Sequence, residues 1–452
     1  MPAPLILLVS MLAVIALIVW ARAHAFLALL AGGLLVGILS PAIPADTVPT
    51  ALAGHFGRVC GSIAIVIALA SIIGECLLDS GAAERISRRF LRLFGEQRAH
   101  LSLWGSGYVL SVPVFFDTVF YLLLPLARAM TARTGGRYAL NIMAIGAGGA
   151  ATHVFVPPTP GPLAAASTLG VDLGLMILMG LMVAIPGSLL AVAYATVRDR
   201  RSPIELRTSV GMSPEELQRM VQRPDGELPG FFVSMLPITL PVIMIASRTV
   251  ADAFAPDTAF QRIARFIGDA NIALLASALF ALWLVKVRCG LDLGDIQKRT
   301  EQGLLTAGPV ILITAAGGAY GGMLQQAQIG ATLQALSTSL GLPVLGLAFL
   351  LAAILKIAQG SSTVAIITTS SVLQAMYAAG ALALPHPVYA ALAAGAGSLV
   401  ISWMNDSGFW VVGRMSGFSE RETLGTWTVT AAIVGTGGFL TVLLLNAVLP
   451  LK

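Results

Sequence analysis

At 452 residues, 57% of them hydrophobic and only 11% charged, with a mean hydropathy of +0.86, the chain is too apolar for a water-soluble globule and reads as an integral membrane protein. Its formal net charge of +5 does not indicate a nucleic-acid partner, because Arg and Lys cluster at the ends of apolar runs, where they report orientation in the lipid bilayer. The cysteines, Cys60, Cys76 and Cys289, are scattered without metal-ligand spacing, so no disulfide framework, zinc site or cofactor follows.

Apolar runs long enough to cross about 30 Å of hydrocarbon recur along the whole length. Leu5 to Trp20, followed by Ala21-Arg22-Ala23, imitates a signal peptide, but its leading segment lacks Lys and Arg, which predicts a first transmembrane helix over 4–20. Further spans are predicted over 25–40 and 62–80. Arg85, Arg88, Arg89, Arg92 and Arg98 then decorate an amphipathic connector, which their charge places in the cytoplasm. The apolar segment 101–127 is interrupted by Pro113 and followed by a second basic group, Arg128, Arg133 and Arg137. With both basic groups on one side, this segment must enter and return. Each arm is about a dozen residues, short of the roughly 20 that a span needs, so a re-entrant hairpin is expected with its tip near Phe116-Asp117-Thr118. Residues 138–172 cross as a helix broken at Val156-Pro157-Pro158-Thr159-Pro160-Gly161-Pro162, and 174–197 returns to Arg198, Arg200 and Arg201. The half 1–197 thus crosses an odd number of times, and the polar stretch 198–230 reads as a cytoplasmic linker.

An odd first half makes the second half, 231–452, insert upside down. Its predicted spans are 231–250, 271–287 and 303–322, then a hairpin over 341–378, a broken helix over 387–413 and a last span over 426–447. The charges agree. The connector 323–340, which matches the Arg-rich connector in order, contains no Lys or Arg, while Lys286, Arg288, Lys298, Arg299, Arg414 and Arg421 fall on the cytoplasmic side of the inverted arrangement. The stretches Leu140 to Phe155 and Tyr389 to Met404 share a Gly- and Ala-rich pattern in corresponding places. The expected fold is an all-α polytopic membrane protein of two inverted-topology repeats, each with a re-entrant hairpin and a broken transmembrane helix.

Unpaired backbone is expensive in hydrocarbon, so breaks at this depth survive only when buried in protein or facing a watery cavity, and paired breaks point to a central binding site. Asp117, beside Thr118 in a nearly charge-free segment, is a candidate proton carrier, since an intramembrane carboxylate is costly. The prolines after Val156 force the helix to stop and restart, aiming the free N–H groups near Thr159 and Gly161 into the site. Ser361, Ser362 and Thr363 offer hydroxyls and backbone donors at the second hairpin tip. Lys356 lies shortly before them, available to an anionic substrate or to Asp117 or Asp406. Asn405, Asp406 and Ser407 form the most polar break of the second half, and His153 is a possible proton relay. Glu75 and Asp79 share one helix face, with Asp79 read as a cap or an arginine partner. Gly105-Ser106-Gly107 faintly resembles a nucleophile turn, but no histidine is positioned by sequence to serve Ser106, so an intramembrane hydrolase is the distant alternative and no enzyme is expected.

At Val156 to Pro162, Lys356 to Ala365, Asn405 to Trp410 and Phe116 to Pro125 the chain resembles the gluconate:proton symporter (GntP) family, within the ion-transporter superfamily of elevator-type carriers. The resemblance covers nearly the whole chain. It implies uptake of a sugar acid or small hydroxy acid with a proton across a bacterial inner membrane, by hairpins moving against a scaffold that forms a homodimer. The substrate carboxylate is expected at Ser361 to Thr363, Thr159 to Gly161 and Lys356, its hydroxyls at Asn405 and Ser407, with Thr118 a further substrate-binding residue, and the proton on Asp117 or Asp406. Sodium coupling, as in a sodium-driven carboxylate or D-serine-type transporter, is the alternative.

Overall fold

The computed structural model describes residues 1–134, 136–207, 224–254, 257–328, 343–378 and 384–451, and these contain helices and no strand. In the first half α1 (Ala3–Val19), α2 (Ala25–Leu39) and α3 (Val48–Asp79) lead to the amphipathic α4 (Ala82–Phe94). A hairpin of α5 (Ala99–Leu110) and α6 (Phe116–Thr134) follows, then a broken helix, α7 (Tyr138–Phe155) and α8 (Pro160–Leu169), and α9 (Leu173–Arg201). The second half holds α10 (Phe231–Phe254), α11 (Ala259–Ile267), α12 (Ala270–Cys289) and α13 (Leu293–Gln326). A second hairpin, α14 (Val344–Gln359) and α15 (Ser362–Ala378), precedes a second broken helix, α16 (Pro387–Gly397) and α17 (Ser407–Ser416). The short α18 (Glu420–Thr423) runs through a π turn, Leu424–Thr428, into α19 (Val429–Val448). Among the described residues, 7 helices are long and apolar enough to cross a membrane, counting α7 with α8 as one.

Three boundaries differ from expectation. The span expected over 62–80 begins at Val48, because Pro49 falls in the first helical turn, where its missing N–H needs no partner, and nothing after it breaks the helix. His55, within this longer helix, bonds Gln326 across to α13 at 3.3 Å. The span expected over 303–322 starts at Leu293, where Asp292 caps it by accepting from the Asp295 N–H at 2.8 Å; Lys298 and Arg299 therefore ride on its first turns. The first hairpin turns at Ser111–Phe115, around Pro113, and Phe116-Asp117-Thr118 form the opening turn of α6 instead of the tip. A helix rarely continues through the residue before a proline, whereas a carboxylate in a first turn is favoured. The amphipathic α11, started by Thr258 accepting from the Gln261 N–H at 3.1 Å, is too short to have registered as a span. The predicted linker overlaps α9 up to Arg201, and its residues 208–223 lie outside the described residues, as do 329–340 of the predicted connector and 341–342 of the second predicted hairpin.

Four arginines from stretches expected on the cytoplasmic side each bond another segment of the chain. Arg299 pairs with Asp79 at 2.5 Å, which settles Asp79 as an arginine partner. Arg85 donates to Pro229 O at 2.7 Å, Arg207 to Glu422 at 2.8 Å, and Arg133 to Glu96 at 3.0 Å.

Without a hydrophobic force between helices in lipid, association rests on close backbone approach through small residues. The contact of α5 with α7 shows this: a Cβ at Gly148 would stand 2.2 Å from Trp104 O. Gly148→Ala is therefore expected to push the first hairpin off α7 and to destabilise the protein by about 1–3 kcal/mol, the usual cost of overpacking. A thermal unfolding midpoint in detergent equal to that of the unmutated protein would contradict this.

Candidate functional site

Each break in the apolar runs ends one helix and starts another. Pro157 and Pro158 stop α7, and Pro160 and Pro162 occupy the first turn of α8, where prolines are tolerated. The C-cap of α14 is Gly360, with φ 85°, a left-handed conformation that suits glycine. A Cβ there would also lie 2.1 Å from Asn405 O, so the second hairpin touches the second broken helix backbone to backbone. Ser361 Oγ accepts from the Val364 N–H at 3.3 Å and opens α15; Asp406 Oδ1 accepts from the Gly408 N–H at 3.1 Å and opens α17.

The outcome is a convergence of helix N-termini. Phe116 and Asp117 from α6, Pro160 from α8, Ser362, Thr363 and Val364 from α15, and Ser407 and Gly408 from α17 all line one cavity of about 280 Å³. The first turn of a helix presents N–H groups without intrahelical partners and the positive end of the helix dipole. First-turn N–H groups that face a shared space can bind an anion. His153 and Ala150 from α7, Val310 and Ile313 from α13, and the Trp427 ring complete the wall.

The charges of the site divide into a paired set and an unpaired one. Lys356 is only 2% exposed; its Nζ lies 2.8 Å from Asp406 Oδ2 and donates to Gly360 O at 2.6 Å. Asp406 Oδ2 also accepts from Ser402 Oγ, which in turn accepts from Trp427 Nε1 at 2.7 Å. The Trp427 ring stacks on Phe116 with centroids 5.1 Å apart. One network thus joins the second hairpin, the second broken helix, the approach to α19 and the first hairpin. Asp117, by contrast, makes no hydrogen bond or ion pair among the described residues, and His153 Nδ1 is buried without a partner.

Of the residues singled out from sequence, Asp117, His153, Ser361, Ser362, Thr363, Asp406 and Ser407 line the cavity. Ser362 Oγ is already committed to Ser398 O at 2.8 Å, so it offers its N–H more readily than its hydroxyl. The others stand back from the wall. Thr159 donates to Val156 O at 2.5 Å, Asn405 Nδ2 to Ile357 O at 2.8 Å, and Thr118 is half-buried along α6. Gly161 serves packing, since a Cβ there would lie 2.8 Å from Ile366 Cδ1 of α15. Sequence reasoning missed Trp427 and Ser402, which carry no helix-breaking signature, and Val310 and Ile313, whose only hint is the neighbouring Pro309 inside α13. Ser106 is fully buried and donates to Ser102 O at 2.8 Å, one turn back on its own helix, so it is not presented as a nucleophile.

Residues 3–448 match the GntP family permease profile. The chain is 33% identical over 436 residues to the low-affinity gluconate transporter of Escherichia coli (strain K12), covering 95% of each chain. It is 33% identical over 449 residues to the gluconate permease of Pseudomonas aeruginosa, covering 98% of this chain and 97% of that one. In fold it is similar to the YdaH transporter of Alcanivorax borkumensis, with a TM-score of 0.65, 16% identity, and coverage of 97% of this chain and 99% of that one. These are permeases and transporters, not enzymes.

Proposed function

Because the chain belongs to the GntP permease family, multi-pass carriers of the bacterial inner membrane, we propose that it imports a gluconate-like sugar acid, or a small hydroxy acid, together with a proton. The observation that supports this most is the cavity at which four helix N-termini meet. A carboxylate placed there accepts from first-turn N–H groups of α15 and α17, with Thr363 and Ser407 hydroxyls beside it for the sugar-acid chain. Phe115, Phe116, Val310 and Ile313 close the apolar side. Asp117 carries the proton. The two halves, 1–197 and 231–452, act as inverted repeats, and their hairpins and broken helices move as one unit against the remaining spans, where a second copy of the chain docks. The names of the relatives support gluconate as the first substrate to test.

Purified protein in proteoliposomes, given labelled gluconate under an imposed pH gradient, is expected to take it up saturably and above its outside concentration. A sodium gradient alone should drive no accumulation, and an uncoupler should abolish uptake. Folded protein that accumulates no gluconate under either gradient would reject this substrate, and competition by other hydroxy acids would then define the class.

A further inference from the structure

We propose that the Lys356 ammonium is a built-in replacement for a coupling cation, holding the place between the second hairpin and the second broken helix that an alkali ion could otherwise fill. The inference rests on the symport reading above in taking the adjoining cavity as the substrate site. The ammonium contacts oxygens from two separate elements: the carbonyl of Gly360 at 2.6 Å, freed at the end of α14, and the carboxylate of Asp406 at 2.8 Å, at the start of α17. The Ser402 hydroxyl binds the same carboxylate oxygen. Carbonyl and carboxylate oxygens are the hard donors that alkali and alkaline-earth cations take, and unwound backbone at broken membrane helices is where carriers hold sodium. In this chain the positive charge arrives tethered. Lys356 stands one helical turn before Gly360 on the same hairpin, and its Nζ is sealed from solvent.

A tethered cation has two consequences that a dissociable one lacks. The junction between hairpin and broken helix is held in every state of the cycle, with no ion to wait for, so the carrier does not need sodium. Asp406 is compensated throughout by Lys356, so it does not carry the transported proton, and Asp117, on the cavity wall with no hydrogen bond or ion pair among the described residues, is left for that role.

The test compares thermal unfolding midpoints and uptake in sodium chloride and in choline chloride. For the unmutated protein neither readout should change between the two salts; a midpoint or an uptake rate that rises with sodium would overturn the proposal without any variant being needed. Lys356→Ala opens the space and leaves Asp406 uncompensated. Its midpoint should fall by several degrees in choline and be restored saturably by sodium, with part of the uptake returning. The double variant Lys356→Ala/Asp406→Asn should lose the response to sodium. A folded Lys356→Ala protein indifferent to sodium, or a double variant that responds as the single one does, would place the cation elsewhere and reject the assignment. The unfolding readout needs no transported substrate, so it stands apart from whether gluconate is carried.

Discussion

Asp406→Asn is expected to abolish transport and to lower stability more than any other single change in the cavity wall. The substitution keeps the shape of the side chain and removes its charge, leaving Lys356 2% exposed with Gly360 O as its remaining partner. Removing one member of a buried ion pair costs about 3–5 kcal/mol, because the other charge stays desolvated without compensation. The loss is not confined to the pair. Asp406 also caps α17 through the Gly408 N–H and anchors Ser402, and through Ser402 the Trp427 ring that rests on Phe116. A carboxamide can still accept at the cap, so the cap weakens without vanishing, whereas the ammonium loses its counter-charge outright. The pairing with Lys356 is what a second substitution isolates. Lys356→Met/Asp406→Asn removes both charges and fills most of the volume, and apolar replacement of a whole buried pair is often neutral in stability. The double variant should therefore unfold at a higher temperature than Asp406→Asn alone while remaining inactive in uptake. If Asp406→Asn unfolds like the unmutated protein, the carboxylate and ammonium are not a charged pair and the division of charges in the cavity fails.

The elements that were legible in the sequence are those the bilayer enforces. Hydrocarbon demands long apolar runs and penalises any interruption, so the hairpins, the broken helices and the order of spans followed from where Pro113, Pro157 to Pro162, Gly360 and Asn405 to Gly408 interrupt those runs. What the bilayer does not constrain was read less well. Beyond the hydrocarbon a helix continues or stops according to its caps, which is why α3 and α13 extend well past the apolar stretches that announced them. Polarity points to Asp117 and Thr118 as the tip of the first hairpin, but the chain turns at Pro113. At the site, residue type alone singled out Asp117, Ser361 to Thr363 and Asp406, and these residues line one cavity. It could not show which polar groups are spent on the protein itself. The Thr159 hydroxyl and the Asn405 amide are consumed by backbone carbonyls, and the choice of Asp406 as the partner of Lys356 depends on a meeting of α14 and α17 that no local pattern encodes.

Asp117→Asn should separate coupling from carriage. The side chain lies in the first turn of α6, on the cavity wall, with no hydrogen bond or ion pair among the described residues, so an amide of the same shape fits without leaving a charge stranded. An amide cannot take up and release a proton in the range where the carrier works. Under a gradient of one pH unit, worth about 1.4 kcal/mol per proton, one-to-one coupling supports about tenfold accumulation. The Asn variant should reach no accumulation under that gradient, yet still exchange labelled internal substrate for external substrate, because exchange moves the loaded carrier back and forth without net proton movement. Asp117→Glu, which restores a titratable group, should recover part of the accumulation. Asp406→Asn provides the contrast, losing exchange and accumulation together because the wall itself is disrupted. Should Asp117→Asn lose exchange as well, its role is in binding or folding. Should it still concentrate substrate, the proton travels on another group, and His153, whose buried Nδ1 lacks a partner on the same cavity wall, becomes the residue to substitute next.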